Sequence, residues 1–467
     1  MNAPDEKQEL RKLEGAKLYG YSSGVLAQII PINIINAYIF IYYVYVVGLN
    51  ALVVSIGTAL GALIMAFASP FFGYIIDNKK PGKHGKRRPF LLYSMPFLVI
   101  SVILIWYSPL TQEFGGFNFG ITLFLFLVLA MFYLNFAMLR SSYLSMTPEQ
   151  SQDEQNRIQI GSLIGMFSIL GTVLGIFIPL ILQSQLINPD DIYNTPADKQ
   201  YLMGALPLIG VMIAISIVVF TLLAYFSTNE DFLLKNNDKS NSNTETQSNI
   251  KNAFKNLFYP FSDKNYALFM FSILFGTIGI RIINKDLTLY LTFVLSLKKS
   301  AFITFVLPLI VFAVLGFVVW TKRAHNKGVK KAYIDATWII SISLLATAIL
   351  LIEMPHDLLL VLASICVAFI LFSLVVGYIL PSPAISELID TAPEGMLKDA
   401  KTDSLAGSYF GAHLFILNIA NAIGDILIGI VLIGDNAKNP FWIGLLFPIA
   451  GIVFLISLLI LKKVKLK

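Results

Sequence analysis

Apolar residues run along this chain in long blocks, each closed by a short polar or charged stretch. A helix that crosses a bilayer needs about 20 mostly apolar residues, because inside lipid every backbone N–H and C=O must bond within the segment. Blocks of that kind fall at residues 18–47, 52–77, 88–109, 118–146, 158–184, 202–227, 265–296, 300–321, 333–353, 357–382, 404–433 and 440–462. The pattern predicts an all-α integral membrane protein of twelve transmembrane helices, and the even number puts both termini on one side. Between the sixth and seventh blocks lies the longest polar segment. Its Asn/Ser/Thr core from Asn236 to Asn249 has too little apolar surface to fold alone. The expected division is an N-terminal six-helix bundle (1–227), a flexible linker (228–262) and a C-terminal six-helix bundle (263–467).

Charge fixes the orientation. The stretch from Gly73 to Phe90 carries Lys79, Lys80, Lys83, Lys86, Arg87 and Arg88 between two spanning blocks, and an excess of Lys/Arg marks the side that does not translocate. This loop is expected to be cytoplasmic, and with it both termini, the cluster from Lys322 to Lys331 and the tail lysines Lys462, Lys463, Lys465 and Lys467. The opposite loops are mostly uncharged or acidic, with Asp190, Asp191 and Asp198; Lys298 and Lys299 are the exception. Composition agrees with a multi-pass protein of the cell membrane: 56% hydrophobic, 13% charged, mean hydropathy +0.74. The net charge of +6 belongs to loops, so it does not point to nucleic acid. The N-terminus lacks the features of a cleaved signal peptide, so the first helix is expected to be retained. A lone Cys366 and four scattered histidines give no metal-ligand spacing, and no nucleotide-binding or hydrolase motif is present. No cofactor, metal or enzymatic activity is expected.

The two halves repeat. Gly73/Gly85 and Gly316/Gly328 share one spacing, each pair with clustered Lys/Arg, and G-S-L-I-G at Gly161 and G-S-Y-F-G at Gly407 lie at corresponding places. Polar residues inside the blocks are candidates for function or for bonds that only hold the bundle. The first block carries Gln28, Asn33 and Asn36 around Pro31, and the fourth carries Asn135 and Arg140. Arg281, Lys285 and Asp286 sit mid-way in the seventh, where the two cations share a face and either find a carboxylate on another helix or receive an anion. The eleventh offers His413, Asn418, Asn421 and Asp425; Asp425 is the candidate counter-ion for Arg281 or Lys285. Amides have both donors and acceptors and suit a hydroxyl-rich substrate. Tyr38, Tyr42, Tyr43 and Phe136 either stack on such a substrate or pack.

Three stretches resemble the glycoside-pentoside-hexuronide:cation symporters, the melibiose-permease-like branch of the major facilitator superfamily. They are Pro70, Gly73, Asp77 and G-K-R-R-P; the run from Ser141 to Arg157; and the run from Leu388 to Gly424. The resemblance implies two pseudo-symmetric six-helix bundles around a central cavity, working by alternating access. It assigns Gly73, Asp77, Gly85, Lys86, Arg87 and Arg88 to the cytoplasmic gate, charged in one half only because Trp320 stands where Asp77 repeats. The chain also departs from the family. The sodium-site carboxylates are replaced by Met65 and Ser69, a further carboxylate by Arg140, and a lysine by Asn418. Met65 cannot ligate a hard cation, so the expectation is an uncoupled carrier, or one coupled to protons through Asp286, His413 or Asp425. The substrate is expected to be a sugar, glycoside or sugar acid, bound by Gln28, Asn33, Asn36, Asn135, Arg140, Arg281, Lys285, Asn418 and Asn421. The alternatives are a lysolipid or other anionic amphiphile, and a non-transporting sensor on a transporter fold.

Overall fold

The computed structural model describes residues 11–79, 82, 85–108, 112–147, 150–228, 230, 255, 257–393 and 402–466, and of residues 77, 154, 176, 300 and 402–404 the backbone alone. The linker core from Asn236 to Asn249 lies outside them. Twelve helices among the described residues are long and apolar enough to cross a membrane: α1 Gly15–Val47, α2 Ala51–Ile76, α3 Arg88–Ile105, α4 Phe119–Met146, α5 Gln155–Ser184, α6 Pro196–Ser227, α7 Lys264–Val294, α8 Ala301–Lys327, α9 Val329–Leu351, α10 His356–Asp390, α11 Leu405–Val431 and α12 Pro440–Leu461. Each predicted block holds one of them. The largest departures are α8 and α10, whose helices run on to Lys327 and Asp390.

Helix ends follow local chemistry. Asn50, Asn118, Asp153, Asp263 and Asn439 each accept a hydrogen bond from a backbone N–H of the first turn that follows. α1 and α7, the first helices of the two halves, end in the same widened turn: the Leu49 amide donates to the Tyr43 carbonyl at 2.9 Å and the Leu297 amide to that of Leu291 at 3.1 Å. Gly85 and Gly328 both have φ of 86°, so the glycine repeat is a repeat of backbone shape.

One face of the bundle holds both chain ends. Asn156 exchanges bonds with the Leu13 backbone, 2.9 Å each way, and Asn265 does the same with Lys465 at 2.8 and 2.7 Å. The halves meet along α2 and α11, where small residues allow close approach: a Cβ on Gly429 would stand 2.5 Å from that of Ser55, and Ala59, Ala62 and Ala422 form a small buried cluster. At the face away from the termini the halves are also tied together. The Tyr45 hydroxyl donates to the Ala437 carbonyl at 2.5 Å, Gln183 Nε2 donates to Thr292 Oγ1 at 2.8 Å, and Lys298 pairs with Asp190 at 3.2 Å. That pairing accounts for the cation the loop pattern left as an exception. Toward the termini face the halves also meet through apolar contacts on the α2–α11 side, Phe67 on Phe415 and Leu257 against Ala66. Gly73, Gly161, Gly165 and Gly407 have open space where a Cβ would stand. The polar ties just named join the halves at the far face.

Asp153 caps α5 and its carboxylate lies 2.6 Å from Lys12 Nζ. The hydrogen bond from Lys12, followed by that from the Asn156 amide, holds the carboxyl below its ordinary value. A depressed folded value means that the stabilisation is present above the unfolded value, about 3.9, and is lost as pH falls through the folded one. Asp153→Asn keeps a capping oxygen but no charge. It is expected to melt slightly below the wild type at neutral pH in a detergent thermal melt, with the gap closing in acid.

Candidate functional site

The charged centre lies where α2, α4, α7 and α11 meet. Arg281 forks onto Asp425, Nε to Oδ1 at 2.7 Å and Nη2 to Oδ2 at 2.8 Å. Lys285, one turn along α7, reaches the same Oδ1 at 2.9 Å and donates to Thr58 Oγ1 at 2.8 Å. Asp425 is fully buried and both cations nearly so. Gly424 makes room for the arginine stem, since a Cβ there would stand 2.9 Å from the Arg281 Cβ. Tyr133 of α4 interacts with Arg281 from the other half. Charges placed in hydrocarbon need partners, and here one carboxylate serves two cations while one of the cations also bonds across the halves. Of the two fates open to Arg281 and Lys285, the structure realises the carboxylate. Both cations are buried and engaged with Asp425, the counter-ion their sequence positions suggested.

Other candidates divide between packing and exposure. Tyr38, Tyr42 and Tyr43 are buried inside the N-terminal half, their hydroxyls bonded to Gln183 at 3.0 Å and to the carbonyls of Trp106 at 2.8 Å and Ile105 at 2.9 Å. Phe136 stacks on Phe132. These four aromatics are packing. Asn135 and Asn418 each donate to their own helix, to the Met131 and Leu414 carbonyls. Gln28 and His413 are buried, with Gln28 Nε2 and His413 Nδ1 lacking partners among the described residues. Asn33, Asn36, Asn421 and Arg140 are half-buried. Arg140 lies two helical turns along α4 from Tyr133 on the same stripe, toward the termini face, and has no hydrogen bond or ion pair among the described residues; the side chain of Asp77 lies outside them. Met65 is buried, and Ser69 Oγ donates to its carbonyl at 2.8 Å.

A pair that the sequence reading missed stands beside the charged centre. Asn284 of α7 donates from Nδ2 to the Tyr378 hydroxyl of α10 at 3.1 Å, and both residues are exposed, Tyr378 by 62%. α7 packs against α1, α10, α11 and α12, and Asn284 at its middle is exposed. α10 breaks at this point, with helical pieces ending at Leu374 and Ile379 before Pro381 restarts the helix. The signal was present: Asn284 stands between two cations, and Tyr378 follows Gly377 just before two prolines. Thr58, Tyr133 and Gln183 carried no comparable mark.

The basic loop is held within its own half. Glu230, just past α6, accepts from the Arg87 amide at 2.9 Å and the Arg88 amide at 3.3 Å, capping α3 from outside, while Arg88 Nε donates to the Tyr225 carbonyl at 3.1 Å. Gly85 packs against the same carboxylate. Gly73 is half-exposed and Lys86 half-buried at the termini face. In the corresponding basic stretch of the other half Arg323 pairs with Asp335, beside Trp320, whose Nε1 donates to the Phe372 carbonyl at 2.9 Å.

With this arrangement in view, comparison with known proteins is decisive for the family. The pattern that defines the MFS/sugar transport protein family matches residues 20–434. The chain belongs to that family. Its curated relatives include the uncharacterized symporter YnaJ of Bacillus subtilis, 25% identical over 44% of this chain and 42% of that one. A glucuronide carrier protein homolog of Escherichia coli is 24% identical over 47% of this chain and 45% of that one. The chain thus spans less than half the length of these two. A sodium-dependent lysophosphatidylcholine symporter of Xenopus tropicalis is 21% identical over 77% of this chain and 67% of that one. Among solved structures, a mutant of the nucleoside transporter NupG superimposes with a TM-score of 0.64 at 13% identity, covering 96% of this chain and all of that one. A bacterial homologue of the human drug peptide transporters gives 0.57 at 12% identity, covering 96% of this chain and 97% of that one. At such identities these share the fold of the family member described here and nothing further. The family and these neighbours are transporters, not enzymes.

The charged centre predicts an asymmetry. Asp425→Asn strands two buried cations and is expected to cost about 3–5 kcal/mol. Lys285→Met leaves the Arg281–Asp425 fork intact and is expected to cost far less. Denaturant titration of both variants in micelles, followed by tryptophan fluorescence, checks the order.

Proposed function

We propose that this protein is a secondary transporter that carries a sugar, glycoside or sugar acid across the cell membrane by alternating access, with both termini in the cytoplasm. The observation that carries the reading is the exposed Asn284–Tyr378 pair beside the charged centre. An aromatic ring with a bare face and an amide with a free carbonyl oxygen are the two groups a pyranose engages, one through its C–H face and one through its hydroxyls. Asn33, Asn36 and Asn421 supply further amides. Arg140 adds a fixed positive charge with no partner among the described residues, which favours a carboxylate on the substrate. The E. coli relative's name, a glucuronide carrier homolog, supports the same class. Arg281 and Lys285 enter only if the centre opens during the cycle.

The division into bundles at 1–227 and 263–467 with a linker between them belongs to this reading, as does the service of the Gly73–Arg88 region in a cytoplasmic gate. The state described here then faces the cytoplasm. Coupling runs through protons rather than sodium, because the family's sodium-site carboxylates are replaced by Met65 and Ser69.

A second reading has its own observation. An apolar groove of about 450 Å³ lies between α2 and α4, lined by Leu60, Leu63, Ile64, Phe67, Phe71 and Leu134. It would take an acyl chain, with Arg140 near an anionic head, as the name of the Xenopus relative suggests. A sensor that does not transport would require the cavity to be closed as well as its charges paired; Arg281 and Lys285 are paired with Asp425, but Asn284 and Tyr378 are open.

Uptake into proteoliposomes separates these. Arg140→Gln is expected to lower glucuronate uptake at least about tenfold, the worth of one charge-assisted bond, while sparing glucose. Tyr378→Ala is expected to weaken both. Equal loss of both probes in Arg140→Gln removes the sugar-acid preference, and uptake of lysophosphatidylcholine alone installs the second reading.

A further inference from the structure

We propose that Lys438, seated on Phe114 and Tyr193 of the other half, is the catch that holds the far face of this transporter closed. The proposal rests on the transport reading above and names the contact that must break before that face opens. Each half sends one short 3-10 turn to the seam here: Pro189–Asp191 between α5 and α6, and Gly434–Lys438 between α11 and α12. The turns occupy corresponding places in the two halves, but they grip by different means.

The first turn grips through one ion pair, Asp190 with Lys298 at 3.2 Å. Lys298 is exposed and Asp190 half-buried, and an ion pair within reach of water contributes little. The second turn places Lys438 Nζ 3.7 Å from the centre of the Phe114 ring and 4.8 Å from that of Tyr193. The two rings stand edge to face, 5.2 Å apart. An ammonium is drawn to the negative face of an aromatic ring, and the attraction grows as water is removed. Lys438, Phe114 and Tyr193 are all half-buried, so this contact outweighs the ion pair.

Both sides of the catch are held in place. The Tyr193 hydroxyl donates to the Gln112 carbonyl at 3.0 Å, the Gln112 amide donates to the Val47 carbonyl at 3.0 Å, and Gln112 Nε2 donates to the carbonyls of Gly116 at 2.7 Å and Gly48 at 3.2 Å. Tyr193 also receives Lys199 of its own half, at 4.8 Å, so Phe114 is the ring that Lys438 does not share among the described residues. On the other side, the Ala437 carbonyl, next to Lys438, accepts from Tyr45 at 2.5 Å. A Cβ on Gly115, next to Phe114, would stand 3.7 Å from Gly434 Cα, and both glycines have positive φ. One turn of five residues thus meets the N-terminal half through its first residue and its last two. Parting the halves at this face pulls the ammonium off both rings and breaks the Tyr45 bond with it.

The test follows the separation of the halves in the full-length protein by pulsed EPR. Spin labels go on Tyr107→Cys, just past α3, and Glu353→Cys, just before α10, both exposed, in a Cys366→Ser background. Lys438→Met keeps the apolar stem and loses the charge; it is expected to raise the ratio of the long-distance to the short-distance population about fivefold. Lys438→Arg keeps a cation for the rings and is expected to match the background, and Lys298→Met, which breaks the ion pair, is expected to shift the ratio less than Lys438→Met. A Lys438→Met distribution equal to the background, or a shift as large in Lys298→Met, overturns the proposal. If Lys438→Met does not fold, Phe114→Leu removes the ring and keeps the lysine, and an unchanged distribution in that variant overturns the proposal equally. Transport is read separately: if the wild type exchanges neither glucuronate nor glucose in proteoliposomes, the transport reading fails, and the distances still judge the catch.

Discussion

A carboxylate shared by two cations at the seam between the halves is the interaction on which this structure turns. Asp425 holds Arg281 with a two-bonded fork and Lys285 with a single contact, and Lys285 passes the linkage to Thr58 of the other half. Hydrocarbon supplies no solvent to stand in for a lost partner, so each member fixes the position of the next. The close approach of α2 to α11 follows the same requirement, since a lysine can bridge the halves only where Gly429, Ala59, Ala62 and Ala422 let the helices nearly touch.

The polar groups left for a ligand lie outside that cluster. Asn284 and Tyr378 are exposed and Arg140 is half-buried. The two π-like turns at the ends of α1 and α7 bring Tyr45 and Phe293 together at the far face. Contact at that face is thus made by corresponding pieces of two related halves, as alternating access demands.

Much of this was legible in the sequence. Block length gave the twelve helices because the bilayer imposes one length on all of them, and the glycine spacing was visible because Gly85 and Gly328 need the same positive φ. The partnership of Asp425 with the α7 cations was open to inference from charge alone, since buried cations must find an anion. What stayed hidden was direction. A stripe of Tyr38, Tyr42 and Tyr43 reads equally as a sugar platform or as packing, and only the tertiary contacts show their hydroxyls spent on Gln183 and on backbone carbonyls. Conversely Tyr378 looked like one more aromatic, and its exposure depends on a break in α10 and on how α7 is surrounded. The basic cluster around Arg323 was visible, but its partner Asp335 lies on the next helix and only the packing of α8 on α9 shows the pair.

The central claim is that the space between the halves binds a hydroxyl-rich, preferably acidic ligand without sodium. Thermal stabilisation of the purified protein by glucuronate, compared in sodium and in potassium, tests it most directly, because a ligand of the folded state raises the melting temperature by mass action. The account predicts a rise with glucuronate that exceeds the rise with glucose and is the same in both salts. A rise that requires sodium, or one produced by lysophosphatidylcholine and by neither sugar, would contradict it.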